Sequence, residues 1–393
     1  MQAFTQYTPT EIVFGKGVEN KAGDMIEKYN GTKVLVVYGG GSVVKSGLVD
    51  RIADQLKSKN LEYVLFGGAK PNPELKLVYE GINVVIENKI DFVLAVGGGS
   101  AIDTGKVIAI GAANPDVDVW KYFCKEAEVE KALPIGTVLT ISAAGSETSN
   151  SSVLTNTDNM EKRGLTTEFN RPVFALMNPE LTYTLPKYQV ACGIADIMMH
   201  TIERYFSDKA GNELTDEIAA ALLKVVIRNG KILIDNPCNY DAASEIMWAG
   251  SLSHNGLTGL GRTPDFSVHQ FGHELSAMFD STHGAALTAV WGAWAEYCVS
   301  TDYKRFEKYA KDVWGIDEGD TKKTAVEGIN KTVEYFKQIG MPTCFTALGI
   351  GVLDDDTIQE LSDRCVHRGK RKIGVFNPLE KQDVINIYKM ANI

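Results

Sequence analysis

DFVLAVGGGS, residues 91–100, is the stretch on which the fold is read. Within the strand predicted over Asp91 to Val96, Phe92 to Val96 is continuously apolar, too short for a helix and without the alternation of a strand that has one wet face. Such a run suits a strand buried on both faces of a parallel sheet. Gly97, Gly98, Gly99 and Ser100 stop it, and helical spacing takes over from Ile102 to Ala113. The same unit stands earlier in the chain. KVLVVY, Lys33 to Tyr38, runs into Gly39, Gly40, Gly41 and Ser42, with helical spacing from Val49 to Lys57. Further strands are predicted at Leu61 to Phe66, ended by Gly67 and Gly68, and at Pro134 to Ile141, Ser151 to Thr155 and Val173 to Met177. Phe4 to Phe14 reads as an extended opening strand, and Glu74 to Asn88 as a helix.

Strand and helix therefore alternate through residue 178, the pattern of a doubly wound α/β domain. After Pro179 only helical periodicity remains. Helices are predicted at Lys187 to Phe206, Glu213 to Ile234, Ala242 to Leu260, Phe266 to Phe279, Ala285 to Val299, Tyr303 to Val313, Ala325 to Ile339, Asp354 to Val366 and Lys381 to Met390. The expected organisation is an α/β dinucleotide-binding domain over 1–178 and an all-helical domain over 179–393.

Composition narrows the function. The 393 residues are 44% hydrophobic and 23% charged, ordinary for a globular protein, and the net charge is −10. That charge argues against nucleic acid and against an anionic membrane as partners. The one basic run, Arg364 to Lys372, reads as a solvated face. The six cysteines form no C-x-x-C pair, so they read as reduced thiols of a cytoplasmic protein.

Two constellations carry chemistry. A glycine turn from a strand end into a helix offers free backbone N–H groups, which suit phosphate. Neither turn fits the dinucleotide fingerprint or the phosphate-loop motif, and a single GGGS is equally compatible with a plain tight turn. Two of them, each after a buried strand, point to a dinucleotide. No acid follows Tyr38, only glycines, Ser42 and Lys45, which suits a ribose 2′-phosphate better than a bare 2′-hydroxyl. The second constellation is helical. Asp196 and His200 stand at i, i+4 on one helix face, and His269, His273 and His283 follow about seventy residues later, so four of the six histidines fall in two segments. One Asp and three His suffice for a divalent cation, but spacing alone leaves open which imidazole is spare. Glu203, a turn beyond His200, can orient a ligand from behind; a solvated Glu is the alternative. His254 and His367 stand apart. A nucleotide and a metal together suggest hydride transfer to or from the carbon that bears an alcohol or aldehyde oxygen, with no side-chain nucleophile.

Motifs along nearly the whole chain add a resemblance. They are Thr8 to Gly17, Pro71-Asn72-Pro73, Gly97 to Asp103, Ala144 to Glu147, Asn178 to Thr182, Thr184 to Pro186, Gly193-x-x-Asp196-x-x-x-His200-x-x-Glu203, His269-x-x-x-His273 and His283-Gly284. With these the chain resembles the iron-containing, or group III, alcohol dehydrogenases, and Tyr38 to Ser42 with Lys45 resembles their NADP(H)-dependent butanol dehydrogenase branch. The resemblance implies the two-domain fold of dehydroquinate synthase and glycerol dehydrogenase, with the active site in the cleft between the domains. It implies metal ligands at Asp196, His200, His269 and His283, and leaves His273 beside the nicotinamide, in proton relay or positioning. It implies cofactor contacts from Gly39, Gly40, Gly41, Ser42 and Lys45, from Asn72, from Gly97, Gly98, Gly99, Ser100 and Asp103, and from Thr140 and Lys162. Homodimers are also implied. The expected activity is reduction of short- to medium-chain primary aldehydes such as butanal, or the reverse oxidation, with NADP(H) and one divalent metal, ferrous iron ahead of zinc. The competing readings are an NAD-dependent diol or glycerol dehydrogenase and a lyase of the dehydroquinate synthase type, which would show no net cofactor turnover.

Overall fold

A computed structural model describes residues 1–208 and 212–393, and the chain clusters into two compact units, Tyr7–Leu185 and Pro186–Ile393 with Met1–Gln6. The first unit is built on a six-stranded, wholly parallel sheet. Its strands are β1 (Glu11–Phe14), β2 (Lys33–Gly39), β3 (Glu62–Ala69), β4 (Phe92–Gly97), β5 (Ile135–Leu139) and β8 (Phe174–Met177), in the order β1-β8-β5-β4-β2-β3. The continuously apolar strands are buried on both faces, as their sequence requires. Even-numbered residues of the centre, Val34, Val36, Phe92, Leu94 and Val96, pack with Ala22, Ile26, Leu48, Ile52 and Leu56 of the Ala22–Lys28 and Leu48–Ser58 helices. On the opposite face Val93 and Ala95 meet the Gly99–Ala113 helix at Gly105, and that helix meets Leu75–Asn88 where Ile108 crosses Gly81.

This order brings the two glycine turns together. β2 and β4 are neighbours, with Tyr38 opposite Val96, and the chain leaves β2 toward β3 on one side and β4 toward β5 on the other. Reversal of strand order between adjacent parallel strands makes a crevice at their carboxyl ends, where doubly wound sheets take nucleotides.

Several elements depart from the sequence expectation. The opening strand is only Glu11–Phe14, not Phe4 to Phe14; Pro9 has no N–H to donate, and Met1–Gln6 joins the other unit. β3 does not stop at Gly67 and Gly68 but runs to Ala69, because Gly67 leaves room for the ring of Tyr38 on β2. The helix expected from Ile102 starts at Gly99, with Gly98 as its N-cap and Gly97 closing β4. A further pair, β6 (Ser151–Asn156) and β7 (Glu161–Thr166), forms an antiparallel hairpin. β7, with Glu161, Lys162, Arg163 and Gly164, is too polar to read as a strand.

The second unit is helical, and among its described residues there is no strand, only isolated bridges at Ser207–Pro264 and Ile373–Leu379. Its axis is Lys187–Tyr205, in which every residue from Ala191 onward is buried; a helix apolar almost all round belongs inside a bundle. Glu213–Asp235, Ser267–Phe279 and His283–Cys298 follow the expected positions closely. The helix expected over Ala242 to Leu260 is instead Tyr240–His254, ended by Gly256 at φ +104°. The basic run is paired rather than loose. Arg364 meets Glu274 at 2.8 Å, Arg371 donates to Gln270 at 2.6 Å, Arg368 meets Glu360 at 3.0 Å and Lys372 meets Glu380 at 2.6 Å. No helix among the described residues is long and apolar enough to cross a membrane.

Candidate metal and nucleotide sites

Three helices build a cage in the helical unit. Asp196 and His200 lie a turn apart on Lys187–Tyr205, His269 is in the first turn of Ser267–Phe279, and His283 opens His283–Cys298. Gly284 lets the last helix approach: a Cβ there would overlap the backbone carbonyl of Cys192, one turn before Asp196. The result is convergence on one oxygen. Asp196 Oδ1 lies 3.5 Å from His200 Nδ1, 3.7 Å from His269 Nε2 and 3.8 Å from His283 Nε2.

These atoms pass a direct test of fitness for a cation. Asp196 Oδ1, His200 Nδ1 and His269 Nε2 are buried and, among the described residues, have no hydrogen-bond partner, although they face one another. An unsatisfied buried polar atom costs about 1–3 kcal/mol, a cost that a cation bound among the three would remove. Asp196, His200 and His269 can present their ligand atoms within 4.8 Å of one another. Separations of 3.5 to 3.8 Å from Asp196 are close to the edges of a tetrahedron whose bonds are about 2.2 Å, the length of metal bonds to N and O.

The protonation states agree with this use. Burial, then the neighbouring imidazoles of His254 and His269, holds His200 well below 6.5 and so neutral, with a lone pair to give. Burial also pulls His269 down, but the carboxylates of Glu203 and Asp196 outweigh it and hold it up at about 9. A cation at His269 Nε2 therefore displaces a proton. Behind His269, Glu203 is fully buried; it meets Nδ1 and accepts from the Val268 and His269 amides at 2.7 and 3.2 Å. Glu203 is thus buried against His269 and not solvated. His273, a turn beyond His269, is 8% exposed, with its ring centroid 5.5 Å from that of His283 and 6.4 Å from that of His269.

His254 corrects the sequence reading, which set it apart. Its ring centroid lies 4.0 Å from that of His200, because the helix ends at His254 against Lys187–Tyr205. No spacing in the sequence signals this, since the contact depends on where that helix stops. Met198 and Met199 are fully buried on the same central helix, and Phe266 sets its ring 5.1 Å from that of His269.

In the α/β unit the expected nucleotide residues fall in three places. Gly39 closes β2 and Gly40, Gly41, Ser42 and Lys45 follow it; a Cβ on Gly40 or Gly41 would meet nothing within 4 Å, so this turn stands in open space. Gly97 to Ser100 follow β4, and here the glycine has a packing reason too: a Cβ on Gly98 would overlap Ile141. Lys162 reaches from β7 to Asn72, Nζ to Oδ1 at 2.8 Å, so the hairpin that the sequence hides is what brings these two together. Thr140, just past β5, donates its N–H to Gly97 at 3.1 Å. Asp103 is turned inward: its carboxylate accepts from Ser146 Oγ at 2.5 Å and Val153 N at 2.9 Å. Lys106 Nζ, also buried, donates to Ser146 Oγ and to the Ser151 carbonyl, each at 2.8 Å. Asp103 and Lys106 together tie the loop after β5 to the helix after β4.

A doubly wound sheet with paired glycine turns, and a helical cluster of one carboxylate and three imidazoles, are together what a nucleotide-using, metal-dependent oxidoreductase needs. Comparison with known proteins agrees. The model of iron-containing alcohol dehydrogenases matches residues 9–179, and that of the C-terminal part of the Fe-containing alcohol dehydrogenase family matches 190–392. The chain is 41% identical to NADH-dependent butanol dehydrogenase A of Clostridium acetobutylicum over the full length of both, and 35% identical, also over both full lengths, to the NADPH-dependent aldehyde reductase YqhD of Escherichia coli. The crystal structure of NADH-dependent butanol dehydrogenase A from Thermotoga maritima superposes with a TM-score of 0.95 at 34% identity, covering 100% of this chain and 99% of that one. The chain belongs to the iron-containing alcohol dehydrogenase family, whose chemistry is alcohol–aldehyde oxidoreduction with a nicotinamide cofactor and an iron-type metal.

Proposed function

We propose that this protein reduces short- to medium-chain primary aldehydes such as butanal, and oxidises the corresponding alcohols, with NADP(H) and one divalent cation. The observation that carries the metal half is the trio of buried, mutually facing atoms Asp196 Oδ1, His200 Nδ1 and His269 Nε2 without hydrogen-bond partners among the described residues. Asp196, His200, His269 and His283 would hold the cation. When bound, the metal polarises a carbonyl oxygen and the nicotinamide supplies or takes up hydride. The protein's own residues do the rest. Phe266 sets an apolar ring against His200 and His269, which suits an uncharged substrate. His273, nearly buried beside His283 and His269, holds the proton that an alcohol oxygen gains or loses.

Gly39 to Ser42, Lys45, Asn72, Gly97 to Ser100, Thr140 and Lys162 would bind the nucleotide, with Asp103 supporting the turn from behind. NADP(H) over NAD(H) rests on the open glycine turn after β2, which has no carboxylate to repel a 2′-phosphate and has Lys45 close by. The relatives include both NADH- and NADPH-dependent enzymes, so specificity constants for both cofactors decide the point. Iron is the metal proposed, and zinc would fit the same ligands. We also propose two domains that follow the two compact units, a homodimer formed by using the free edge of β1, and a cytoplasmic location, in keeping with six unpaired cysteines. The test is metal analysis of the purified protein together with oxidation of NADPH and NADH in the presence of butanal. Protein that holds about one cation per chain yet turns over neither cofactor would sink the proposal.

A further inference from the structure

Glu203 joins two of the ligand-bearing helices from behind the cage, through the far side of the His269 ring. It lies on Lys187–Tyr205, the helix of Asp196 and His200, and is 0% exposed. Its carboxylate reaches the start of Ser267–Phe279. There Oε1 accepts from the backbone N–H groups of Val268 at 2.7 Å and His269 at 3.2 Å, while Oε2 meets His269 Nδ1. Its own carbonyl accepts from Asp265 N at 2.9 Å. The first-turn N–H groups of a helix have no partner within it and carry its positive end, so a buried acid there anchors the helix. Three N–H groups converge on two oxygens, which leaves this carboxylate as an acceptor only. His269 Nδ1 must then be the donor, and the ring presents Nε2 to the side where Asp196 Oδ1 lies 3.7 Å away.

We propose that Glu203 is a positioning residue for the metal: it keeps the proton of His269 on Nδ1, so that Nε2 is the nitrogen left to face a cation in the cage, and it docks the His269 helix before any cation arrives. The inference rests on the metal reading of the site given above. It separates orientation from ligation. Asp196 and His200 are placed by one helix, whereas His269 comes from another and needs an external constraint. A glutamine at 203 keeps an oxygen for the two amides but sets an N–H₂ group against Nδ1. That group donates where Nδ1 must also donate, which drives the ring proton to Nε2 and removes the lone pair from the cage.

The experiment strips the protein of metal and measures the dissociation constant for zinc ion by competition with a chromophoric chelator, in wild type, Glu203→Gln, His269→Ala and the double variant. Glu203→Gln is expected to weaken zinc binding about 10–100-fold and to leave the melting temperature of the stripped protein close to wild type. In the His269→Ala background it is expected to change zinc affinity no further. Unaltered affinity in Glu203→Gln, or an equal loss with and without His269, would overturn the inference. Should the variant fail to fold, nitrogen-15 histidine spectra of zinc-loaded wild type decide instead: a slowly exchanging proton on His269 Nδ1 supports the inference and its absence overturns it. If wild type itself takes up no zinc, the metal reading fails, and that result is distinct from these.

Discussion

His200 shows how the cage is held ready at the scale of single residues. It is 3% exposed, ringed by other imidazoles, and neutral because burial disfavours its charge. His200→Ala is expected to lower cation affinity by at least about 100-fold, more than loss of an outer partner does, and to abolish NADPH oxidation; full metal content and full activity would refute the assignment. Lys106 makes a different prediction. Burial brings its ammonium down to about 8 from 10.5, against the pull of Asp103 and Glu147. Between those values the unfolded chain keeps a proton that the folded chain has released, so stability rises with pH across the window of about 8 to 10.5. Below about 8 both states hold the proton, and the penalty of the buried charge is felt in full. Lys106→Met should flatten that rise in urea unfolding followed from pH 7.5 to 10; an unchanged slope would show that another group titrates there. At this scale Asp196 and His200 were readable as a pair from their spacing, and the resemblance set aside His273. The contact of His254 with His200 was not readable, because a helix stop places it and no periodic pattern encodes that stop.

Elements were more legible than residues where burial is uniform. The runs at 34–37 and 92–96 are apolar on both faces because they lie between helix layers, and no other environment tolerates that pattern so well. β7 was missed for the opposite reason: it is polar and half-exposed, stabilised by pairing with β6 and not by burial of its own side chains. Close approach between elements is also invisible in a sequence until the partner is known. Gly284 is the example, since only contact with the backbone at Cys192 explains why the residue after His283 has no side chain. Gly284→Ala must push His283–Cys298 away from Lys187–Tyr205 and carry His283 with it. Overpacking of this kind costs about 1–3 kcal/mol. The expected outcome is a lower melting temperature together with weaker zinc binding; an alanine variant with wild-type affinity would show that His283 is not held by this approach.

The whole molecule divides its tasks by unit. The residues proposed for the nucleotide belong to Tyr7–Leu185 and those proposed for the cation to Pro186–Ile393, which is why the sequence showed a change of periodicity near residue 178 and a separate motif set on each side. A ligand that binds only folded protein stabilises it by about 2.7 kcal/mol at a hundred times its dissociation constant. For a unit of about 200 residues each kcal/mol moves the midpoint by about 2–4 °C, so saturation at that level is worth about 5–11 °C. Chains of two compact units need not unfold in one step. Calorimetry of stripped protein should therefore show two transitions, one raised by zinc or ferrous ion and the other by NADPH. NADH at the same concentration as NADPH should shift the second transition less, if the open turn at Gly39 to Ser42 favours the 2′-phosphate. A single transition moved equally by metal and cofactor would mean that the two units unfold as one, and an equal or larger shift with NADH would overturn the proposed cofactor preference while leaving the family assignment intact.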